Sequence, residues 1–280
     1  MRVGLVLEGG GMRGMYTCAV IDTFLENDIK IDGIIGVSAG ALFGINYCSK
    51  QKGRGIRYNK KYIKGKDYMS ISSLLKIGNM VNEEFAFHLI PEKLDVFDEE
   101  EFGKSNVDFY ATVTNINTGK AEYIKIENTS KQASAFQATS AMPFLCKSVE
   151  IDGNKYMDGA IADSIPLDKC MEMGYDKIIV VLTKPLNFRT MRTPKLPIKL
   201  VYKNYPNLID TINNRYRVYN ETLDKIDELE KVKEIFVIRP SKDLKVKRIE
   251  KNVDKIQAMY DLGISDSKEL LEDLKDYLLK

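Results

Sequence analysis

Apolar residues at the start of the chain fall into short continuous runs, and each run ends on glycine. Val3–Leu7 leads into Glu8-Gly9-Gly10-Gly11-Met12-Arg13-Gly14, and Ile34-Ile35 leads into Gly36-Val37-Ser38-Ala39-Gly40. Unbroken apolar runs of about four to eight residues fit strands buried on both faces, whereas the segments after them space their apolar positions as helices do. The pattern predicts strand 2–8, helix 13–27, strand 33–37 and helix 39–50. Such a βαβα start implies parallel strands joined by right-handed crossovers. Further strands are expected at 107–114 and 121–127 with Asn117-Thr118-Gly119 as the turn between them, then a helix near 131–138. Ile151–Met157 reads as a short hairpin with a Gly153-Asn154 turn that delivers Asp158 at its end. Ile178–Leu182 suits a central strand, and helical spacing over 198–230 and 248–279 brackets a strand at Phe236-Val237-Ile238. In an open α/β sheet the site lies at the carboxyl ends of the strands, where both glycine-rich motifs must emerge.

The second motif has the form of a nucleophile elbow. A serine in G-x-S-x-G sits on a strand-to-helix turn so tight that Gly36 and Gly40 must flank it, which pushes the hydroxyl into the open. Backbone N–H groups at the start of a helix bind the negative oxygen formed when a carbonyl is attacked, and losing one such donor costs about 3–4 kcal/mol of transition-state stabilisation. Elbow and glycine-rich turn together point to acyl transfer. Serine needs a base, and histidine is the usual one. The chain holds one histidine, His88, which lies between Ser38 and any plausible acid, whereas the usual hydrolase order is Ser, then Asp or Glu, then His. His88 is therefore read as an ordinary helix-end or partly buried residue, which leaves a carboxylate as base.

Gly9-Gly10-Gly11-Met12-Arg13-Gly14, Gly36-Val37-Ser38-Ala39-Gly40, Ala138-Thr139-Ser140-Ala141-Met142-Pro143 and Asp158-Gly159-Ala160, in that order, resemble the motifs of the patatin-like phospholipases. The resemblance covers residues 1 to about 185. It implies a three-layer α/β hydrolase sandwich with a mainly parallel central sheet, no metal and no cofactor. It also implies a Ser-Asp dyad, in which Ser38 is acylated and Asp158 takes its proton, with an oxyanion hole at Gly9, Gly10, Gly11, Met12, Arg13 and Gly14. Gly10 and Gly11 would donate N–H groups there, and Arg13 would hold the turn. Family members often read Asp-Gly-Gly where this chain has Asp158-Gly159-Ala160, a change that tests only how much φ freedom the third position needs. A free aspartate has a pKa of about 3.9 and is a poor base at neutral pH, so Asp158 must sit within roughly 3 Å of the Ser38 hydroxyl. The competing local reading makes Asp158-Gly159 only a turn and Asp163 an N-cap for a helix beginning near Ile165-Pro166.

Two other readings stay open. Gly9-x-Gly11-x-x-Gly14 also matches a dinucleotide fingerprint, with Asp32 about 20 residues on where an acid would meet a ribose. Against it, Asp32 precedes the second strand instead of ending it, and the G-x-S-x-G would have no purpose. A catalytically silent binder of acyl chains or a partner would keep the fold without the chemistry.

Composition narrows the rest. The chain is long enough for one sizeable core, so a patatin-like catalytic core at 1–185 and a mainly helical portion at 186–280 are expected in the same domain. Lys and Arg number 42 against 40 Asp and Glu, a net charge of +2 that argues against a nucleic-acid binder. No stretch approaches the roughly 20 apolar residues of a membrane span, and a cytoplasmic location is expected. Cys18, Cys48, Cys146 and Cys170 lack C-x-x-C spacing and read as reduced core thiols. Two basic stretches without acids, 50–66 (Lys50, Lys52, Arg54, Arg57, Lys60, Lys61, Lys64, Lys66) and 184–203 (Lys184, Arg189, Arg192, Lys195, Lys199, Lys203), read either as solvated faces or as a surface for anionic headgroups and transient membrane contact. The expected substrate is a lipid or small ester.

Overall fold

The computed structural model describes residues 1–65, 67–68, 74, 78–192 and 195–279, with the backbone alone at 195–197. Lys66 and the side chain of Lys195 lie outside the described residues.

Five parallel strands form the middle of one sheet, in the order β3 (Asp108–Asn115), β2 (Gly33–Val37), β1 (Val3–Leu7), β7 (Lys177–Val181) and β8 (Ile235–Ile238). Leu5 lies opposite Ile34 on one side and Ile179 on the other. The sheet turns antiparallel at its β3 end. There β4 (Ala121–Lys125) and β6 (Asn154–Asp158) both pair with β3, and β5 (Val149–Ile151) pairs with β6. Because β4 occupies one edge of β3 along its carboxyl half, β6 must follow β2 on the other edge. Val37 pairs with Thr112 and Asp158 with Val113. This register brings the end of β6 to the end of β2, the point from which Ser38 emerges.

Alternation along the strands gives the sheet two apolar faces. Leu5, Leu7 and Ile34 face α1 (Met15–Glu26), α2 (Ala39–Cys48) and α10 (Val253–Glu269), while Val6, Ile35 and Val180 face α7 (Leu167–Glu172) and α9 (Pro206–Lys231). The result is a three-layer α/β sandwich, the architecture expected from the resemblance. Residues 15–24 of α1 are buried without interruption because α10 packs over the side turned away from the sheet. Among the described residues no helix is long and apolar enough to cross a membrane. Cys18, Cys48 and Cys170 are free and buried, and Cys146 is free and half-buried.

Several boundaries differ from the sequence reading. The helix expected at 13–27 begins as a tight 3-10 turn at Gly11–Gly14, because the glycine turn must close before α1 can start. The long helical stretch at 198–230 divides into α8 (Lys195–Val201) and α9, whose first turn carries Pro206, a residue without the N–H that an uninterrupted helix would need. The stretch at 248–279 becomes helical at Val253, where Asn252 caps the N–H groups of Asp254 and Lys255, and it divides again before α11 (Leu271–Leu279). The helix expected near Ile165-Pro166 begins at Leu167. Residues 51–106 hold α3 (Arg54–Tyr62), a wide-turned π-helix numbered here α4 (Phe85–Leu94) and α5 (Glu99–Lys104).

Candidate active site

The hydrophobic end of β2 forces the chain into a sharp reversal at Ser38, whose φ of 51° and ψ of −121° are strained for any residue with a side chain. The flanking glycines are sterically required. A Cβ on Gly36 would lie 2.6 Å from the Cα of Ala41, and one on Gly40 would lie 2.4 Å from the carbonyl of Leu7. The strain is held from two sides. The Ser38 N–H donates to Thr139 Oγ1 at 2.9 Å, and the Ser38 carbonyl accepts from Ala41 and Leu42 at 3.0 Å each. Thr139, at the end of α6 (Ala133–Thr139), in turn donates to the Thr112 carbonyl, so the elbow is tied to β3.

The glycine-rich turn packs against that elbow. A Cβ on Gly9 would meet Val37 and Ser38, and one on Gly14 would lie 2.9 Å from the Ala39 Cβ. Gly11 has φ +57° and comes so near the Arg248 carbonyl that a Cβ there would lie 2.4 Å from it. The same carbonyl accepts the Met12 N–H at 2.9 Å. Among the described residues the N–H groups of Gly10 and Gly11 have no partner. Free amides beside a buried hydroxyl that lines a cavity are the raw material of an anion site. Arg13 is half-buried and its Nε has no partner; burial and then the Arg248 charge push its pKa down.

Asp158 closes the arrangement. It is 5 % exposed, its N–H donates to Ala141 at 3.0 Å, and its Oδ1 accepts from Ala160 N–H at 2.8 Å. Burial pushes the carboxyl pKa up, against the Ala160 N–H, the charges of Arg215 and Arg248, and the Ser38 hydroxyl, which together favour the anion. Gly159 has no room for a side chain, since its Cβ would lie 2.2 Å from the Thr112 carbonyl. Ala160 sits in a 3-10 turn with negative φ, so the third position needs no glycine here. Asp163 caps nothing at α7; it is half-buried, accepts from Tyr123 Oη at 2.7 Å and from Ile165 N–H at 3.3 Å.

The structure does not bring His88 to this place. Its ring lies on α4 with its side chain 38 % exposed, paired with Glu92 at 3.1 Å. Nor does it join Asp32 to the glycine turn. Asp32 accepts the Val3 N–H at 2.7 Å, at the opposite end of β1 from Gly9–Gly11, so the two halves of the dinucleotide pattern sit at opposite edges of the sheet.

A cavity of about 370 Å³ opens from Ser38, Gly11 and Met142 and runs between α2, α3 and α4, with an apolar wall that includes Phe43, Phe87 and Phe136. Among the described residues no cluster of His, Cys, Asp and Glu has the makeup of a metal site.

Four residues to which the sequence reading gave no role complete the surroundings. Glu8, 3 % exposed, accepts from Thr183 N–H and Oγ1 and from Tyr219 Oη. Arg215 of α9 donates to the Ala160 carbonyl and to Ser164 Oγ, Thr139 braces the elbow, and Arg248 fixes the glycine turn. A charged residue directly after an apolar run marks Glu8 out locally; Arg215 and Arg248 carry no local signal at all.

The sequence model described as patatin-like phospholipase matches residues 5–171, and one described as a domain of unknown function, DUF6363, matches residues 205–279. The chain is 24 % identical over 274 residues to the uncharacterized protein YjjU of Escherichia coli, covering 94 % of this chain and 75 % of that protein. It is 27 % identical over 186 residues to lysophospholipase nte1 of Aspergillus niger, covering 64 % of this chain and 12 % of that protein. It is 25 % identical over 182 residues to neuropathy target esterase sws of Drosophila melanogaster, covering 64 % of this chain and 13 % of that protein. The chain thus spans about an eighth of these two long relatives. Among solved structures, VipD from Legionella pneumophila aligns with a TM-score of 0.47 and 14 % identity, covering 97 % of this chain and 67 % of that one.

Proposed function

The chain belongs to the patatin-like phospholipase family, and on that premise we propose that it hydrolyses lipid acyl esters through a Ser38–Asp158 dyad. The observation that carries the proposal is the sheet register that brings the buried Asp158 carboxylate at the end of β6 beside the Ser38 elbow at the end of β2, while the lone histidine is elsewhere. The acyl chain occupies the apolar cavity, which places its carbonyl at the cavity mouth beside Ser38. Asp158 accepts the Ser38 proton as Oγ attacks the carbonyl carbon. The carbonyl oxygen becomes an oxyanion, held by the unpartnered N–H groups of Gly10 and Gly11. Collapse of this intermediate expels the alcohol, which receives the proton from Asp158, and leaves acyl-Ser38. Water then attacks the acyl-serine, giving its proton to Asp158, and Ser38 Oγ leaves with that proton as the fatty acid departs. Burial suits Asp158 to both steps, because a raised pKa makes it a better base than a free aspartate. The same reading assigns residues 186–280 to the catalytic domain, since β8 extends the sheet and α10 covers α1.

A fluorophosphonate probe tests the nucleophile directly. Wild type is expected to be labelled and Ser38→Ala not, and Asp158→Asn is expected to lower kcat on a monoacyl ester about 10²–10⁴-fold while His88→Ala stays within twofold. Labelling that persists in Ser38→Ala, or full activity in Asp158→Asn, rejects the dyad.

A further inference from the structure

Four cations gather near Glu8 and Asp158, the buried carboxylates behind Ser38, and they come from four distant places in the chain. Arg13 lies in the glycine turn, Lys184 follows β7, Arg215 is on α9, and Arg248 lies between β8 and α10. Among the described residues none of the four forms an ion pair. Arg215 is held by a carbonyl and a serine hydroxyl, and Lys184 lies over the Phe188 ring at 4.6 Å. The two buried carboxylates in their midst are engaged elsewhere. Glu8 is taken by Thr183 and Tyr219, and Asp158 by the Ala160 N–H. Four cations against these two carboxylates and the exposed Asp243, which is itself paired with Lys245, leave a net positive site. The cations register this themselves: burial first, and then a neighbouring cation, lowers the pKa of Arg13, Lys184 and Arg215.

Of the four, Arg248 alone is exposed, and it lines the cavity together with Ser38, Gly11 and Met12. Its backbone is fixed by the carbonyl that receives the Met12 N–H. Its side chain thus extends from a fixed point on the cavity wall, and among the described residues its guanidinium donors have no hydrogen-bond partner. An ester whose acyl chain fills the cavity and whose carbonyl meets Ser38 must leave its alcohol portion at that mouth.

We propose that Arg248 is an anion subsite of the Ser38 pocket, receiving the phosphate of a glycerophospholipid headgroup. The proposal rests on the hydrolase reading above and deepens it. A guanidinium presents a planar fork of donors that matches phosphate oxygens, and the half-buried charges of Arg13, Lys184 and Arg215 raise the potential behind it. An uncharged glycerol headgroup gains nothing from this field, so Arg248 acts on the choice between phospholipid and neutral lipid.

The test compares lysophosphatidylcholine with monoacylglycerol of the same acyl chain, using wild type, Arg248→Gln and Arg248→Lys, and reads the ratio of the two kcat/KM values. The ratio is expected to fall about tenfold in Arg248→Gln, through the KM for the lysophospholipid, and to recover in part in Arg248→Lys. An unchanged ratio, or an equal loss on both substrates, overturns the proposal, the second result showing that Arg248 acts only through the glycine turn. Inhibition by inorganic phosphate that Arg248→Gln relieves, with the ratio unchanged, would assign the subsite to free phosphate and also overturn the headgroup claim. If wild type turns over neither lipid and no probe labels Ser38, the hydrolase reading has failed by itself. Calorimetric binding of lysophosphatidylcholine then decides the subsite: weaker binding by Arg248→Gln supports it, and equal binding rejects it.

Discussion

Two cation-rich regions of this chain differ in what their charges face. In the stretch 50–66 the cations follow one another in sequence, yet its first four are paired: Lys50 meets Glu101, Lys52 meets Glu26, and Arg54 and Arg57 both meet Asp95. These pairs tie α3 and its approach to α1, α5 and the loop after α4. Around Ser38 the cations are scattered at positions 13, 184, 215 and 248, and among the described residues none is paired. A run of like charges thus says little about the field it produces, because its counter-charges arrive from elsewhere in the fold. A positive site is built by convergence, and convergence is a property of the tertiary structure. The paired set should govern stability, and the unpaired set should govern what the cavity accepts.

The largest stability effect is expected in the paired region. Arg54 is 5 % exposed and donates twice to the Asp95 carbonyl, at 3.1 and 2.7 Å, and once to Asn46 Oδ1 at 3.2 Å. Its guanidinium also lies over the rings of Tyr58 and Phe97. Arg54→Met keeps the length of the side chain but strands these acceptors away from water. Urea unfolding should show a loss of about 3 kcal/mol. A loss below about 1 kcal/mol would erase the distinction, because the buried arginine would then be no more structural than the free ones.

The site around Ser38 should behave in the opposite sense. Burial raises the Asp158 pKa above its ordinary value near 3.8. Below that ordinary value the carboxyl is protonated in both folded and unfolded chains, and its ionisation has no effect on stability. As pH rises through the higher folded pKa, the folded state must ionise a buried group that the unfolded state ionises freely, so stability is lost. Asp158→Asn removes this term while keeping an acceptor for the Ala160 N–H. At pH 7 the variant should melt about 2–4 °C above wild type despite its lost activity, and the gap should close as pH falls toward 4. A gap that widens on acidification would mean that Asp158 stabilises the fold as an ion.

Much of this site was legible in the sequence because its parts are local. Strand, glycine turn and helix follow one another within 1–26, strand, elbow and helix within 33–48, and a strand delivers Asp158. Such patterns depend on backbone sterics that each short segment carries with it. The surroundings were not legible for the opposite reason. Glu8 is completed by Tyr219, 211 residues away, and the glycine turn by the carbonyl of Arg248. Carbonyl contacts leave no trace in residue identity. Helix α4 was hidden differently: its wider turns break the period by which helices are recognised, and Pro91 within it reads as a terminator. The split between α8 and α9 was visible as Pro206, but helical spacing on both sides concealed it.

The smallest expected effect sharpens the comparison most, because it separates charge from position. Arg57 makes two contacts to the Asp95 carboxylate, at 2.7 and 2.8 Å, but its side chain is 55 % exposed. Water and salt screen such a pair, and Asp95 keeps Arg54 when Arg57 is removed. Arg57→Ala should therefore destabilise by about 0.5–1 kcal/mol at low ionic strength and by less in 0.5 M salt. Arg57 does not line the Ser38 cavity. Losing its charge should leave the ratio of kcat/KM between lysophosphatidylcholine and monoacylglycerol where wild type has it, whereas Arg248→Gln removes the same single charge and shifts that ratio. If both variants shifted it alike, net charge of the molecule would explain the preference. The convergence of cations at Ser38 would then have no special role.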